Sequence, residues 1–184
     1  MAVNVCVPLA NGFEEIEAMS LIDVMRRGGL NVIVAGVGGD VIYGAHNIRV
    51  IPDTKIELVN ADELDLVVLP GGLPGAINLA EDEATQNLLK EMDKKGKYVG
   101  AICAAPYALE KAGVLKDNYT AYPGWEGNIR KEGYVSDAKV VEDKNVLTSK
   151  GPGTAICFGL EIVKKFAGEE IYQQLKAGLL ADFC

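Results

Sequence analysis

The 184-residue sequence predicts an α/β fold: a doubly wound sandwich with a mostly parallel central sheet and a β-hairpin. Two observations carry this reading. Short apolar, β-branched runs alternate with segments of helical period, the pattern of crossover connections between parallel strands. The chain also opens strand–helix–strand, the basic unit of such a sheet.

The elements follow in order. Residues 3–9 are apolar and β-branched, as a buried parallel strand is, and Asn11-Gly12 ends them. Residues 14–27 predict a helix: Ile16, Met19, Ile22, Val24 and Met25 recur at helical spacing, Arg26 and Arg27 complement its C-terminal end, and Gly28-Gly29 stops it. Residues 30–35 form a second strand. Gly36-Val37-Gly38-Gly39 resembles a dinucleotide fingerprint, but that needs a helix next. Residues 41–43 and 48–51 instead flank a Gly44/Asn47 turn and predict a hairpin. Residues 64–69 are a third core strand ending at Pro70-Gly71-Gly72, and 83–94 a helix with Leu88, Leu89 and Met92 on one side. Residues 98–102 are a fourth strand with Cys103 immediately beyond. Residues 104–112 are a helix with Pro106 in its first turn and Gly113 as its stop. Residues 119–135, rich in Gly and aromatics, are loop with a short helix. Residues 139–142 and 145–149 make a second hairpin, Gly151-Pro152-Gly153-Thr154 starts a helix through Phe166, and 169–180 is the last helix.

Length and the absence of linkers or repeats predict one domain over residues 1–184. With 49 % hydrophobic and 24 % charged residues the composition is globular. A formal net charge of −8 argues against a nucleic-acid partner, which needs a basic face. There is no apolar run of about 18 residues and no leader-like start, so no membrane partner and a cytoplasmic location are expected. One His and four scattered cysteines without a CxxC pair disfavour a metal site and predict free thiols. Cys6 and Cys157 read as packed residues, and Cys184 as a mobile, exposed end.

Ligands of such sheets bind beyond the strand C-termini. That selects residues 10–17, 70–75, 103–106 and 151–154. Cys103, between a strand and a helix start and flanked by Ala101, Ala104 and Ala105, is the candidate nucleophile: small neighbours permit the tight turn of a nucleophile elbow. A helix N-terminus there favours the thiolate. The competing reading is a small buried core thiol. Gly71 and Gly72 place bare backbone N–H groups where they can hold a developing oxyanion, or are an ordinary turn. Glu14, Glu15 and Glu17 crowd the first turn of the first helix; one can serve as proton donor and acceptor, and spacing does not choose among them. His46 reads as a surface or partner-contact residue rather than half of a Cys-His dyad. Tyr122 lies in an aromatic loop that can line a pocket, and is a poor base at neutral pH.

Five segments occur together: Gly12-Phe13-Glu14-Glu15-Ile16-Glu17, Asp23-Val24-Met25-Arg26-Arg27-Gly28-Gly29, Val68-Leu69-Pro70-Gly71-Gly72, Ala101-Ile102-Cys103-Ala104-Ala105-Pro106, and Leu147-Thr148-Ser149-Lys150-Gly151-Pro152-Gly153-Thr154. Singly weak and jointly specific, they cover nearly the whole chain. In them the sequence resembles the ThiJ/PfpI superfamily and, within it, the DJ-1/YajL branch. The resemblance implies a flavodoxin-like homodimer with an easily oxidised elbow cysteine, and it picks Glu17 as the carboxyl that contacts the thiol. A carboxylate beside a thiolate is unfavourable, so Glu17 should be protonated and donate to sulfur.

The resemblance further implies a cofactor-free glyoxalase or protein deglycase active on methylglyoxal, glyoxal or glycated side chains, with Cys103 and Glu17 catalytic. Gly71, Gly72 and Ala104 would hold the oxyanion and Tyr122 would line the site. The alternative it implies is a redox-sensing chaperone switched by Cys103 oxidation. Four departures stand out. Tyr122 replaces the loop His of some relatives, which predicts a slow catalyst. Ala104 replaces the His that follows the elbow Cys in protease-like members, which disfavours peptidase activity. His46 stands where the animal protein has a pocket Arg, and Cys157 where relatives often carry an acid.

Overall fold

The computed structural model describes residues 3–184; the Met1–Ala2 end of the segment read as leaderless lies outside them. The elements are β1 (Asn4–Ala10), α1 (Glu15–Arg27), β2 (Asn31–Val37), β3 (Ile42–Tyr43), β4 (Arg49–Val50), β5 (Thr54–Lys55), β6 (Leu66–Leu69), α2 (Gly75–Glu81), α3 (Glu83–Lys94), β7 (Tyr98–Ile102), α4 (Pro106–Lys111), β8 (Val140–Asp143), β9 (Val146–Ser149), α5 (Ala155–Ala167) and α6 (Glu169–Gly178). The main sheet runs β5-β2-β1-β6-β7-β9-β8. Its pairs are parallel except β8 with β9, while β3 and β4 form the predicted separate hairpin. The flavodoxin-like α/β class is thus the observed one.

The period-2 geometry of strands sorts the core into two layers. In β1, Cys6 and Ala10 point to one side, with α2, α3 and α4, while Val5, Val7 and Leu9 point to the other, with α1 and α5. β6 divides likewise: Val67 and Leu69 against Leu66 and Val68. Both faces of these strands are covered, which is why their sequences are continuously apolar. α1 and α5 approach closely because glycines face side chains of the other helix. A Cβ on Gly28 would lie 2.4 Å from a methyl of Val163, and one on Gly159 2.9 Å from Val24. Phe158 of α5 is fully buried, and its ring edge reaches the β7 strand where Gly100 leaves room.

Several expectations are corrected. α2 and the two-residue β5 were not anticipated. α2 is seven residues long, buries only Gly75, Ala76, Leu79 and Ala80, and is separated from α3 by Asp82, which caps α3 through a bond from the Thr85 N–H. The predicted helix over 104–112 is shorter, Pro106–Lys111, because residues 103–105 form a turn. The last helix ends at Gly178, and Leu180 takes a left-handed φ of 53°.

The free-thiol reading of Cys157 and Cys184 is also overturned: the two are joined in a disulfide, with Cα atoms 5.1 Å apart. Beyond α6 the chain turns back, buries Ala181 completely and sets its last residue on α5. Cys184 is therefore a fixed, half-buried end. A separation of 27 residues spanning a whole helix left no local trace of this pairing. Cys6 and Cys103 are the free cysteines.

Phe158→Ala should cost about 3–5 kcal/mol of unfolding free energy, since it removes a fully buried ring at the contact of α5 with the sheet. Urea denaturation measures it, and a loss under about 1 kcal/mol would show that the face collapses around the void.

Candidate active site

Cys103 is the first residue beyond β7 and takes a left-handed φ of +66°. A non-glycine residue in that region stores local strain and must be held there by its surroundings. Both of its peptide groups are held. Its N–H donates to the Ser149 carbonyl at 3.0 Å, at the end of β9, and its carbonyl accepts from the Tyr122 N–H at 2.9 Å. Ala104 and Ala105 are buried and small, so the chain can reverse at once into α4. The sulfur accepts hydrogen bonds from the amides of Ala104 and Gly72.

Glu17 sorts itself from its two neighbours by the groups it meets. It lies in the first turn of α1 with no exposure, and its Oε2 accepts from the Gly71 N–H at 2.7 Å. The carboxyl also lies against the Cys103 thiol, each affecting the other's ionisation, while its Oε1 is buried without a hydrogen-bond partner among the described residues. Gly71 is the spacer. A Cβ there would lie 2.7 Å from both the Cys103 Cβ and the Glu17 Oε2, so a side chain would drive the two reactive groups apart. Gly72 has φ +93°, and a Cβ on it would lie 2.3 Å from the Glu14 nitrogen. The Pro-Gly-Gly segment is thus required by close approach.

The two remaining acids have other partners. The Glu14 side chain accepts from the Glu17 N–H at 2.7 Å and caps α1. Glu15 is buried and accepts from the His46 N–H at 2.5 Å, while its Oε2 lies 2.8 Å from the His46 Nδ1. Tyr122, half exposed, lays its ring against Gly151 and lines a cleft of about 360 Å³ with Pro123, Lys150, Pro152 and Thr154.

The model of the DJ-1/PfpI family matches residues 3–165. The chain belongs to the DJ-1/PfpI family. Drosophila melanogaster protein dj-1beta is 40 % identical over 186 residues, covering 100 % of both chains. The crystal structure of that fly protein superposes with a TM-score of 0.94 at 40 % identity, over 98 % of each chain. The glutathione-independent glyoxalase DJR-1.2 of Caenorhabditis elegans is 38 % identical over 159 residues, 85 % of this chain and 84 % of its own.

For a DJ-1/PfpI site, the electrostatics here are those of a buried thiol and a buried carboxyl side by side, both raised by burial. Burial pushes Glu17 up to about 7, against the Cys103 thiol and the Gly71 N–H, which lower it. For Cys103, burial, then the charge and proximity of the Glu17 carboxylate, push the thiol up; the Ala104 and Gly72 amides pull it back. Burial opposes the thiolate that a helix N-terminus would favour, and α4 is only six residues long and begins at Pro106. Cys6 is pushed up to about 12 by burial and is inert.

One site residue differs from the sequence reading, while His46 lies on the surface as that reading expects. The Gly71 N–H is taken by Glu17, so this glycine positions the carboxyl and is not free for an oxyanion. His46 is exposed and pairs with Glu15, not with Cys103. Its ring is raised by the hydrogen bond to Glu15 and by that carboxylate's charge. Burial raises Glu15, but the bonds from the His46 ring and amide outweigh it and hold the carboxyl below its ordinary range. Glu14, Glu15 and His46 offer ligand atoms within 4.8 Å of one another, the one such group among the described residues. Glu15 and His46 are already bonded to each other, so the cluster acts as a clamp between α1 and the hairpin.

The role of Ser149 escaped the sequence reading. Its carbonyl fixes the Cys103 N–H, and its side chain lies 2.7 Å from the Thr154 Oγ1 and donates to the Lys139 carbonyl at 2.7 Å. The available signal was its place two residues before 151–154, the loop that strand ends had already selected.

Glu17 sets a pH dependence. Unfolded, it ionises near 4.5; folded, near 7, so the folded state binds the proton more tightly. The stability this contributes is full below pH 4.5 and lost as pH rises to about 7, on the order of 3 kcal/mol at 1.36 kcal/mol per pH unit. Glu17→Gln should remove that loss. Guanidinium unfolding at pH 5 and pH 8 checks it: equal pH dependence in wild type and variant would rule out a raised Glu17.

Proposed function

We propose that this chain is a slow, cofactor-independent glyoxalase acting on methylglyoxal and glyoxal, and on early adducts of such dicarbonyls with protein side chains. The single observation that carries this is the Cys103 thiol at a strained elbow, set against a buried carboxyl of pKa about 7. A general acid–base group titrating near neutrality is suited to moving a proton in both directions. The name of the C. elegans relative, a glutathione-independent glyoxalase, supports the same chemistry.

In the proposed sequence the Cys103 sulfur adds to the aldehyde carbon of methylglyoxal as its proton passes to the Glu17 carboxylate. Glu17 passes that proton on to the aldehyde oxygen, giving a hemithioacetal and returning the carboxylate. Glu17 then removes the C1 proton to give an enediol and returns a proton to C2, leaving a 2-hydroxyacyl thioester. Water hydrolyses that thioester, releasing lactate and regenerating the thiol. The Gly72 and Ala104 amides, which already point at sulfur, are placed to hold the developing oxyanion. Tyr122 forms a wall of the adjoining cleft, which gives room for the side chain of a glycated substrate. The raised thiol and the absence of a loop histidine both predict slow turnover.

Incubation with methylglyoxal should yield lactate. Cys103→Ser should abolish it, and Glu17→Gln should lower kcat by about 10²–10⁴-fold, the usual worth of a general acid–base group. Wild-type turnover in Cys103→Ser would overturn the mechanism.

A homodimer is the partner this reading carries. Ile16 on α1 and Ile48 on the hairpin are 58 % and 53 % exposed, on the two elements that the Glu15–His46 bond joins. Apolar side chains presented together mark a protein–protein surface. Analytical ultracentrifugation should give a dimer that Ile16→Glu shifts toward monomer; a wild-type monomer would rule the dimer out.

A further inference from the structure

We propose that Cys157 and Cys184 are a reversible redox couple that fastens the C-terminal segment and, through Lys139 and Ser149, restrains the Cys103 elbow. The proposal rests on a continuous chain of contacts. The disulfide fixes the last residue to the first turn of α5. The neighbouring Phe183 carbonyl accepts a hydrogen bond from the Lys139 side chain. The Lys139 carbonyl accepts from the Ser149 side chain at 2.7 Å, and the Ser149 carbonyl accepts from the Cys103 N–H at 3.0 Å. One strand end therefore serves both the tail and the nucleophile.

Two further features make the tail a two-state element. α6 has Tyr172 as its one buried residue, with Leu175 and Leu179 only partly buried against the same core, so the disulfide is the one covalent tie on a lightly anchored segment after α5. Both cysteines also line a cavity of about 630 Å³, together with Val140, Leu147 and Glu161, which gives a small thiol or disulfide an approach to the half-buried Cys184 end of the pair. Disulfides in reducing compartments are usually transient and redox-sensing, and a pair with an approachable end fits that role.

The exchange balances with glutathione disulfide as the oxidant. The thiolate of one cysteine attacks a glutathione sulfur, forming a mixed disulfide and releasing one glutathione thiolate. The second cysteine thiolate then attacks the protein-bound sulfur, closing the Cys157–Cys184 bond and releasing a second glutathione. The protein loses two thiol protons and two electrons, and one glutathione disulfide becomes two glutathiones. Glutathione in excess runs both steps backward.

The test uses the full chain equilibrated at several ratios of glutathione to glutathione disulfide. Peptide mass spectrometry reads the state of Cys157 and Cys184, and the rate of Cys103 alkylation by iodoacetamide is then measured. Alkylation of a half-buried thiol rises with local opening of its surroundings. Cys103 should therefore react at least threefold more slowly with the couple oxidised than reduced. Cys184→Ser, at the chain end, should react at the fast rate at every ratio. Lys139→Met should react fast even with the disulfide formed, because the contact to the Phe183 carbonyl is gone. The proposal is overturned if Cys157 and Cys184 remain alkylatable at every ratio, if Cys103 reacts equally in both states, or if Cys184→Ser follows the ratio as wild type does. The readout is thiol alkylation, so it is separate from lactate formation and survives a failure of the glyoxalase reading.

Discussion

A carboxyl withdrawn entirely from water needs a compensating partner, and the site is arranged around that need at Glu17. It meets a backbone N–H from the loop after β6 and a thiol from the loop after β7, two neighbouring parallel strands. For all three to meet, α1 must begin just beyond β1, Gly71 must lack a side chain, and Cys103 must turn out of the sheet in a strained conformation. The parallel sheet supplies the alignment, since it brings the C-terminal ends of β1, β6 and β7 to one edge. Remove the buried carboxyl and the strain at Cys103 has lost one of the contacts that hold it.

Much of this was legible in the sequence for a physical reason. Strands buried on both faces carry continuous β-branched runs, so β1, β2, β6 and β7 announce themselves. Glycine and proline punctuate strand ends at Gly12 and Pro70, and helix ends at Gly28 and Gly113. Cys103 was legible because it is a reactive residue type among alanines at a strand end. The choice of Glu17 over Glu14 and Glu15 was not legible from spacing. All three lie in one helical turn, and only the third dimension decides which is capped, which is clamped and which is buried. α2 was invisible because seven residues carry too little periodicity to register.

Two expectations concerned groups whose behaviour depends on distant chain. The thiolate expectation followed a local rule about helix ends, but burial by residues from several elements opposes it at this six-residue helix. The free-thiol expectation followed composition and ignored that the chain beyond α6 doubles back. Ser149 belongs to the same class: its contribution is a carbonyl, and a carbonyl has no signature in the alphabet of side chains. What the site needs from that position is a backbone placed by β9, with a hydroxyl that ties β8 and the 151–154 turn together.

The two glycines after β6 divide the site into a part that tolerates change and a part that does not. At 71 and 72 any side chain collides with the reacting groups or with the backbone of residues 12–14, so no single replacement there can retune the chemistry without dismantling it. The wall at Tyr122 is different: it is half exposed, it belongs to a loop, and its tie to the elbow is a backbone N–H that any residue but proline supplies. An engineer wishing to admit a bulkier carbonyl compound has an open door at residue 122 and a locked one at 71.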